Sequence, residues 1–111
     1  MSKNNRSTLV HGSEYLQAIA FLVRSLADEN RLRILLSLTN GKKSVSRIVE
    51  ELNLSQPLVS HHLKELKGSL LVQVERNGPF IYYQISDRRI LEILKDIERL
   101  TVDLLNKRKS F

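Results

Sequence analysis

Cysteine is absent from the 111 residues. That excludes disulfides, thiolate metal ligands and cysteine redox sensing. No stretch approaches the roughly 18 consecutive apolar residues of a membrane span. The polar start Met1–Ser7 is not followed by the apolar region of a signal peptide, so a cytoplasmic location is expected and no membrane partner. Aromatic residues make up only 5%, which leaves the core to Leu, Ile and Val. Catalytic signatures are missing as well: no glycine-rich phosphate loop, no HExxH and no supported Ser/His/acid set. Asp87, Asp96 and Asp103 read as solvated helix positions balanced by Arg88, Arg89, Lys95 and Arg99. An enzyme is not expected, nor any cofactor.

What is present is a single domain's worth of chain with 41% apolar and 27% charged residues, ordinary for a globular protein. The formal net charge of +6 favours a polyanionic partner. Residues 1–12 are polar and read as a frayed start, 13–106 as the domain and 107–111 as a basic tail. From Ser13, Leu16, Ile19, Ala20, Val23 and Leu26 recur at three- and four-residue steps, predicting an amphipathic helix. Asp28 offers a capping oxygen for a second helix bearing Leu32, Leu35, Leu36 and Leu38, which Asn40-Gly41 ends. Ser44 caps a third, with Val45, Ile48, Val49 and Leu52 in one stripe. Ser55 caps a fourth, with Pro57 in its first turn and Val59, Leu63 and Leu66 on its buried side.

After Gly68 the period changes from helical to alternating. Leu71–Arg76 and Phe80–Ile85 read as two strands of a hairpin around the turn signal Asn77-Gly78. Ser86 or Asp87 then caps a last long helix on which Ile90, Ile93/Leu94, Ile97, Leu100/Thr101 and Leu104 repeat. The expected order is α-α-α-α-β-β-α, mainly α with a small β-hairpin. Two strands alone cannot make a sheet-based domain, so the helices must supply most of the core.

Two short helices joined by a short turn, the second rich in Ser and Gln outside, suggest a helix-turn-helix, with the hairpin as a wing. Its second helix would present Ser55, Gln56, Pro57, Leu58, Ser60, His61 and Lys64 to double-stranded DNA, with His62 either meeting a phosphate or packing inside. Gln bonds adenine bidentately, Ser donates or accepts, and a Leu methyl meets a thymine methyl. Lys64 and Lys67 suit phosphates, as do Lys42, Lys43, Ser44 and Arg47 at the third helix and Arg76 and Asn77 at the wing tip. The first and last helices carry more apolar positions than one face needs. Tyr15, Leu16, Ile19, Leu22, Ile90, Ile93, Leu94, Ile97, Leu100 and Leu104 are candidates for a homodimer seam. The alternative is that both helices wrap their own core.

Leu26-Ala27-Asp28-Glu29-Asn30-Arg31-Leu32-Arg33-Ile34-Leu35 and the segment Leu54–Leu66 closely resemble the opening helix and recognition helix of the ArsR/SmtB repressors. Tyr82-Tyr83-Gln84-Ile85 resembles that family's second wing strand, and the likeness spans roughly residues 13–105. It implies a winged helix-turn-helix homodimer that binds a palindromic operator and is released by an inducer. Metal-sensing members of the family carry two cysteines where this chain has Ser44-Val45-Ser46, or Asp and His ligands on the last helix. Here Asp87 is kept, but Arg89, Leu100 and Asp103 stand at the other ligand positions. No metal site is expected, and the inducer would be an unknown small molecule or protein.

Neighbouring helix residues point about 100° apart, so His61 and His62 cannot converge on one ion, and His61 with Glu65 supplies only two ligands. The family's usual glycine before the first wing strand is Leu70 here, which puts the exit of the recognition helix and the wing contacts in question. A winged-helix protein-interaction module is the competing reading. The positive charge and the polar face Ser55–Lys64 speak against it, because such a face makes a poor dry interface.

Overall fold

The computed structural model describes residues 12–109; the predicted frayed start, apart from Gly12, and the end of the basic tail lie outside them. The elements run α1 (Ser13–Leu26), α2 (Glu29–Ser37), β1 (Lys43–Ser44), α3 (Val45–Leu52), α4 (Gln56–Gly68), β2 (Val72–Asn77), β3 (Phe80–Ile85) and α5 (Arg89–Lys109). This is the winged helix-turn-helix order, with one addition. The two-residue β1 pairs antiparallel with β3, giving a three-stranded sheet in the order β1-β3-β2. Nothing in so short a strand announces itself in sequence.

Side chains start three helices as expected. The Asp28 carboxylate accepts from the Arg31 amide, Ser44 Oγ from the Arg47 amide and Ser55 Oγ from the Leu58 amide. Each satisfies one backbone N–H that the first helical turn leaves unpaired. Asn53 closes α3 in the left-handed conformation, with φ of 55°, and turns the chain into α4.

The core is built from Ile34, Leu35 and Leu38 at α2, Ile48 of α3, Val59, Leu63 and Leu66 of α4, Leu71, Val72 and Leu94. Leu36, expected on the inner stripe of α2, is instead 52% exposed. The apolar stripe of α1 does not face this core either: Ser25 is the helix's sole buried residue. α5 contributes Leu91 and Leu94 near its start and then continues as an exposed helix through Lys109, so Lys107–Lys109 form its last turn. The radius of gyration, 16.6 Å, exceeds the roughly 13 Å of a compact chain this long, as two helices extending from the body require.

The end of α4 answers the question that Leu70 raised. The Leu71 amide donates to the Leu66 carbonyl at 2.9 Å and the Leu70 amide to the Lys67 carbonyl at 3.0 Å. These are the two bonds of a Schellman closure, whose outer residue sits in the left-handed region. Leu70 takes that place with φ of 67° and its side chain 79% exposed. The helix is not shortened; the leucine adopts the conformation that a glycine takes without strain. Leu70→Gly should therefore raise stability by about 0.5–1 kcal/mol, read as a higher urea midpoint at unchanged slope. An unchanged or lower midpoint would mean that the turn is unstrained.

The wing register pairs Asn77 with Phe80, so the two-residue loop is Gly78-Pro79, one position later than predicted. Gly78 has φ of 64°, while Pro79 is confined to negative φ; this combination suits a type II′ hairpin turn.

Candidate nucleic-acid interface

α4 is anchored on one side and open on the other. Val59, Leu63 and Leu66 are buried, whereas Ser55, Gln56, Pro57, His61, Lys64 and Lys67 are exposed and Leu58 and Ser60 half-buried. The Gln56 amide nitrogen donates to Ser60 Oγ at 2.9 Å, so two polar side chains one turn apart are already aligned on the outer face. The expected row of hydrogen-bonding groups is thus brought together on a single helix.

Of the two roles expected for His62, packing and a phosphate contact, burial leaves the packing one, so His62 is withdrawn from the DNA-binding candidates. It is 5% exposed and turned into the junction of α1, α2 and α4. Arg31 Nε donates to His62 Nδ1 at 3.1 Å, and His62 Nε2 lies 3.7 Å from the Asp28 carboxylate. Arg31 also reaches the Ser25 carbonyl at the end of α1, at 3.4 Å. An imidazole that accepts at Nδ1 carries its proton on Nε2, facing Asp28. Burial holds His62 below the ordinary imidazole range; the Asp28 carboxylate pulls the other way and Arg31 adds to the lowering. The bond from the Arg31 amide holds Asp28 below its own usual value.

The sign follows directly. On acidification His62 protonates in the unfolded chain before it does in the folded one, so stability falls as pH drops below about 6.5 toward the lower folded value. Asp28, depressed in the fold, loses its contribution later, as pH falls through its own folded value. Denaturation of the wild type should show lower stability at about pH 5.5 than at about pH 7.5, and His62→Gln should flatten that difference. An equal drop in both proteins would place the titrating group elsewhere.

The cations at the start of α3 are clustered as expected, but none stands alone. Lys42 Nζ lies 2.5 Å from Glu75 Oε2 and 5.2 Å from the centre of the Tyr82 ring. Lys43 Nζ is 2.5 Å from one Glu51 oxygen, and Arg47 Nε is 2.7 Å from the other. Those two bonds hold the Glu51 carboxyl below the usual range. Lys42, Lys43, Ser44, Arg47 and Tyr82 together line a shallow pocket of about 270 Å³. Glu51, Glu75 and Tyr82 were not candidates in the sequence, because their partners meet them only across the β1–β3–β2 sheet and one helical turn. Arg76 and Asn77 are exposed at the wing tip.

The positions at which the family resemblance places metal ligands are engaged within this chain. Ser44 Oγ is used as the cap of α3. The Asp87 carboxylate is gripped by Arg89 through its amide at 2.9 Å and its guanidinium at 2.8 Å, which pulls its pKa down to about 2. Among the described residues no three His, Asp or Glu side chains gather as a metal-binding group. Nor is any described helix long and apolar enough to cross a membrane.

On α1 and α5 the candidate seam divides. Tyr15, Leu16, Ile19, Leu22, Ile93, Ile97, Leu100 and Leu104 are 40–68% exposed. Leu94, by contrast, is part of its own chain's core while also lining the groove described next, and Ile90 packs against that core. An apolar groove of about 700 Å³ runs between α1, α2 and α5, walled by Leu22, Val23, Leu26, Leu36, Ile93 and Ile97 among others.

A family model described as bacterial regulatory protein, arsR family, matches residues 28–74. The chain is 39% identical over 83 residues to the HTH-type transcriptional repressor SmtB of Mycobacterium tuberculosis, covering 75% of this chain and 62% of that protein's length. It is 32% identical over 84 residues to the transcriptional repressor SdpR of Bacillus subtilis, covering 76% of this chain and 89% of that protein. Among solved structures it is similar to the transcriptional repressor PagR of Bacillus anthracis, with a TM-score of 0.70 and 30% identity over 78% of this chain and 99% of that one.

Proposed function

Because the chain belongs to the arsR family of bacterial regulatory proteins, we propose that it is a sequence-specific DNA-binding repressor acting as a homodimer on a palindromic operator. The carrying observation is α4: a helix fixed to the core by Val59, Leu63 and Leu66 while Gln56, Ser60, His61 and Lys64 point outward. Such a helix fits the major groove, where amide and hydroxyl groups discriminate base edges. The cations of α3 and the wing tip would meet phosphates, which position the protein without reading sequence. Exposed apolar faces on α1 and α5 support a dimer through those helices, and two-fold symmetry then implies an operator of two matched halves. Arg89 on Asp87 and the serines at the start of α3 support regulation by something other than a metal, a small molecule or a protein.

Selection from a random double-stranded library tests the reading. It should return a consensus with two-fold symmetry and half-sites spaced by about 10 base pairs. On the selected site, Gln56→Ala or His61→Ala should each cost about 1–3 kcal/mol while leaving binding to random DNA little changed. Equal losses on both DNAs would remove base reading from that residue. Failure to enrich any sequence, with binding insensitive to salt, would favour the protein-interaction module.

A further inference from the structure

Phosphate contacts dominate the affinity of DNA-binding proteins, and their cost depends on what the cations touch beforehand. In this protein the three cations around the start of α3 share two carboxylates. Glu51 bridges Lys43 and Arg47, and Glu75 takes Lys42, whose ammonium also lies over Tyr82. The Lys42–Glu75 pair and Arg47 are open to solvent, with side chains 39%, 41% and 62% exposed, whereas Lys43 at 20% and Glu51 at 29% are partly covered. Ion pairs as accessible as these are individually weak. A phosphate offers the same charge-assisted hydrogen bonds as a carboxylate, so one can take the other's place.

We infer that Glu51 and Glu75 are internal counter-anions of the phosphate-binding cations, exchanged for DNA phosphates when the protein binds. The inference rests on the DNA-binding reading above and adds the regulation of its backbone contacts. In the free protein the two glutamates leave a net charge of only one on a cluster of three cations. They thereby restrain the sequence-independent part of the affinity, and the bases read by α4 carry a larger share of what remains. The Tyr82 ring, 5.2 Å from the Lys42 ammonium, would steady that cation while its carboxylate is exchanged.

The test uses the full chain and a fluorescent duplex of arbitrary sequence, titrated at several salt concentrations. Glu51→Gln frees two cations and should tighten binding by about three- to tenfold at low salt; Glu75→Gln frees one and should tighten it less. Each should steepen the fall of log affinity with log salt by up to about one unit, because no displaced carboxylate then takes up a cation from solution as the phosphate binds. Glu92→Gln removes the same charge from α5 and should change neither quantity as much. Affinities unchanged or weakened in Glu51→Gln and Glu75→Gln would overturn the inference, the latter because the glutamates would then be orienting the cations. An equal gain in Glu92→Gln would overturn it in favour of net charge alone. If the wild type binds and the variants match it, only the inference falls; if neither the wild type nor the double variant binds at low salt, the DNA-binding reading falls with it.

Discussion

Ile97→Asp should give a monomer and weaken operator binding by about a hundredfold or more. In the single chain Ile97 is 47% exposed and walls the apolar groove between α1, α2 and α5. Ile93, one turn earlier, and Leu100 and Leu104, further along, are 52%, 57% and 53% exposed. In a two-fold seam along this helix each substitution occurs twice, and both copies bury an unpaired carboxylate where an alkyl group had been. The fold itself should survive, because Ile97 is outside the core assembled by α2, α3 and α4. The loss of DNA binding follows from losing the second half-site, which a dimer engages at high effective concentration. Sedimentation velocity reads the first effect and a titration of the selected operator the second, with Ile97→Leu as the conservative comparison. A dimer that persists in Ile97→Asp would move the interface away from α5.

Leu63→Ala has the largest expected effect on stability, a loss of about 2–5 kcal/mol. Leu63 is completely buried at the middle of α4, between Val59 and Leu66 and within one core with Ile34, Leu35 and Ile48. Truncation removes apolar area from that core and leaves a space that three crossing helices cannot close without moving their axes. Set against the 5–15 kcal/mol or so that stabilises a domain, the change is a large fraction of the whole. It also loosens the inner side of the helix whose outer side is proposed to read DNA, so operator affinity should fall although no DNA-facing atom has changed. Leu63→Met, which nearly conserves volume, should cost under about 1.5 kcal/mol. Urea denaturation distinguishes them; a loss in Leu63→Ala no larger than in Leu63→Met would show that the site collapses around the smaller side chain.

Much of this protein is determined within a few residues of chain. The caps Asp28, Ser44 and Ser55 could be read directly because a capping oxygen meets an amide only three positions on. The stripe Val45, Ile48, Val49, Leu52 and the inner side of α4 followed from helical period, and the outer face of Gln56, Ser60, His61 and Lys64 followed as its complement.

Other features needed elements to approach from far along the chain. Periodicity showed that α1 and α5 have apolar faces but not that those faces stay largely open, since a stripe records polarity and not its partner. The 100° step between His61 and His62 meant that they must part; that His62 is the one turned inward depended on Arg31, thirty-one residues earlier. β1 exists because Tyr82 and Tyr83 lie beside Lys43 and Ser44. The pairing of Lys42 with Glu75 likewise requires β3 to bridge β1 and β2, which brings together side chains thirty-three residues apart. The sequence alone thus determined the helices, their caps and the face that α4 offers to DNA, all set by short-range hydrogen bonding and period. Only the tertiary structure decided that His62 is locked against Arg31 and that Glu75 holds Lys42, because those contacts join residues that only folding brings within reach.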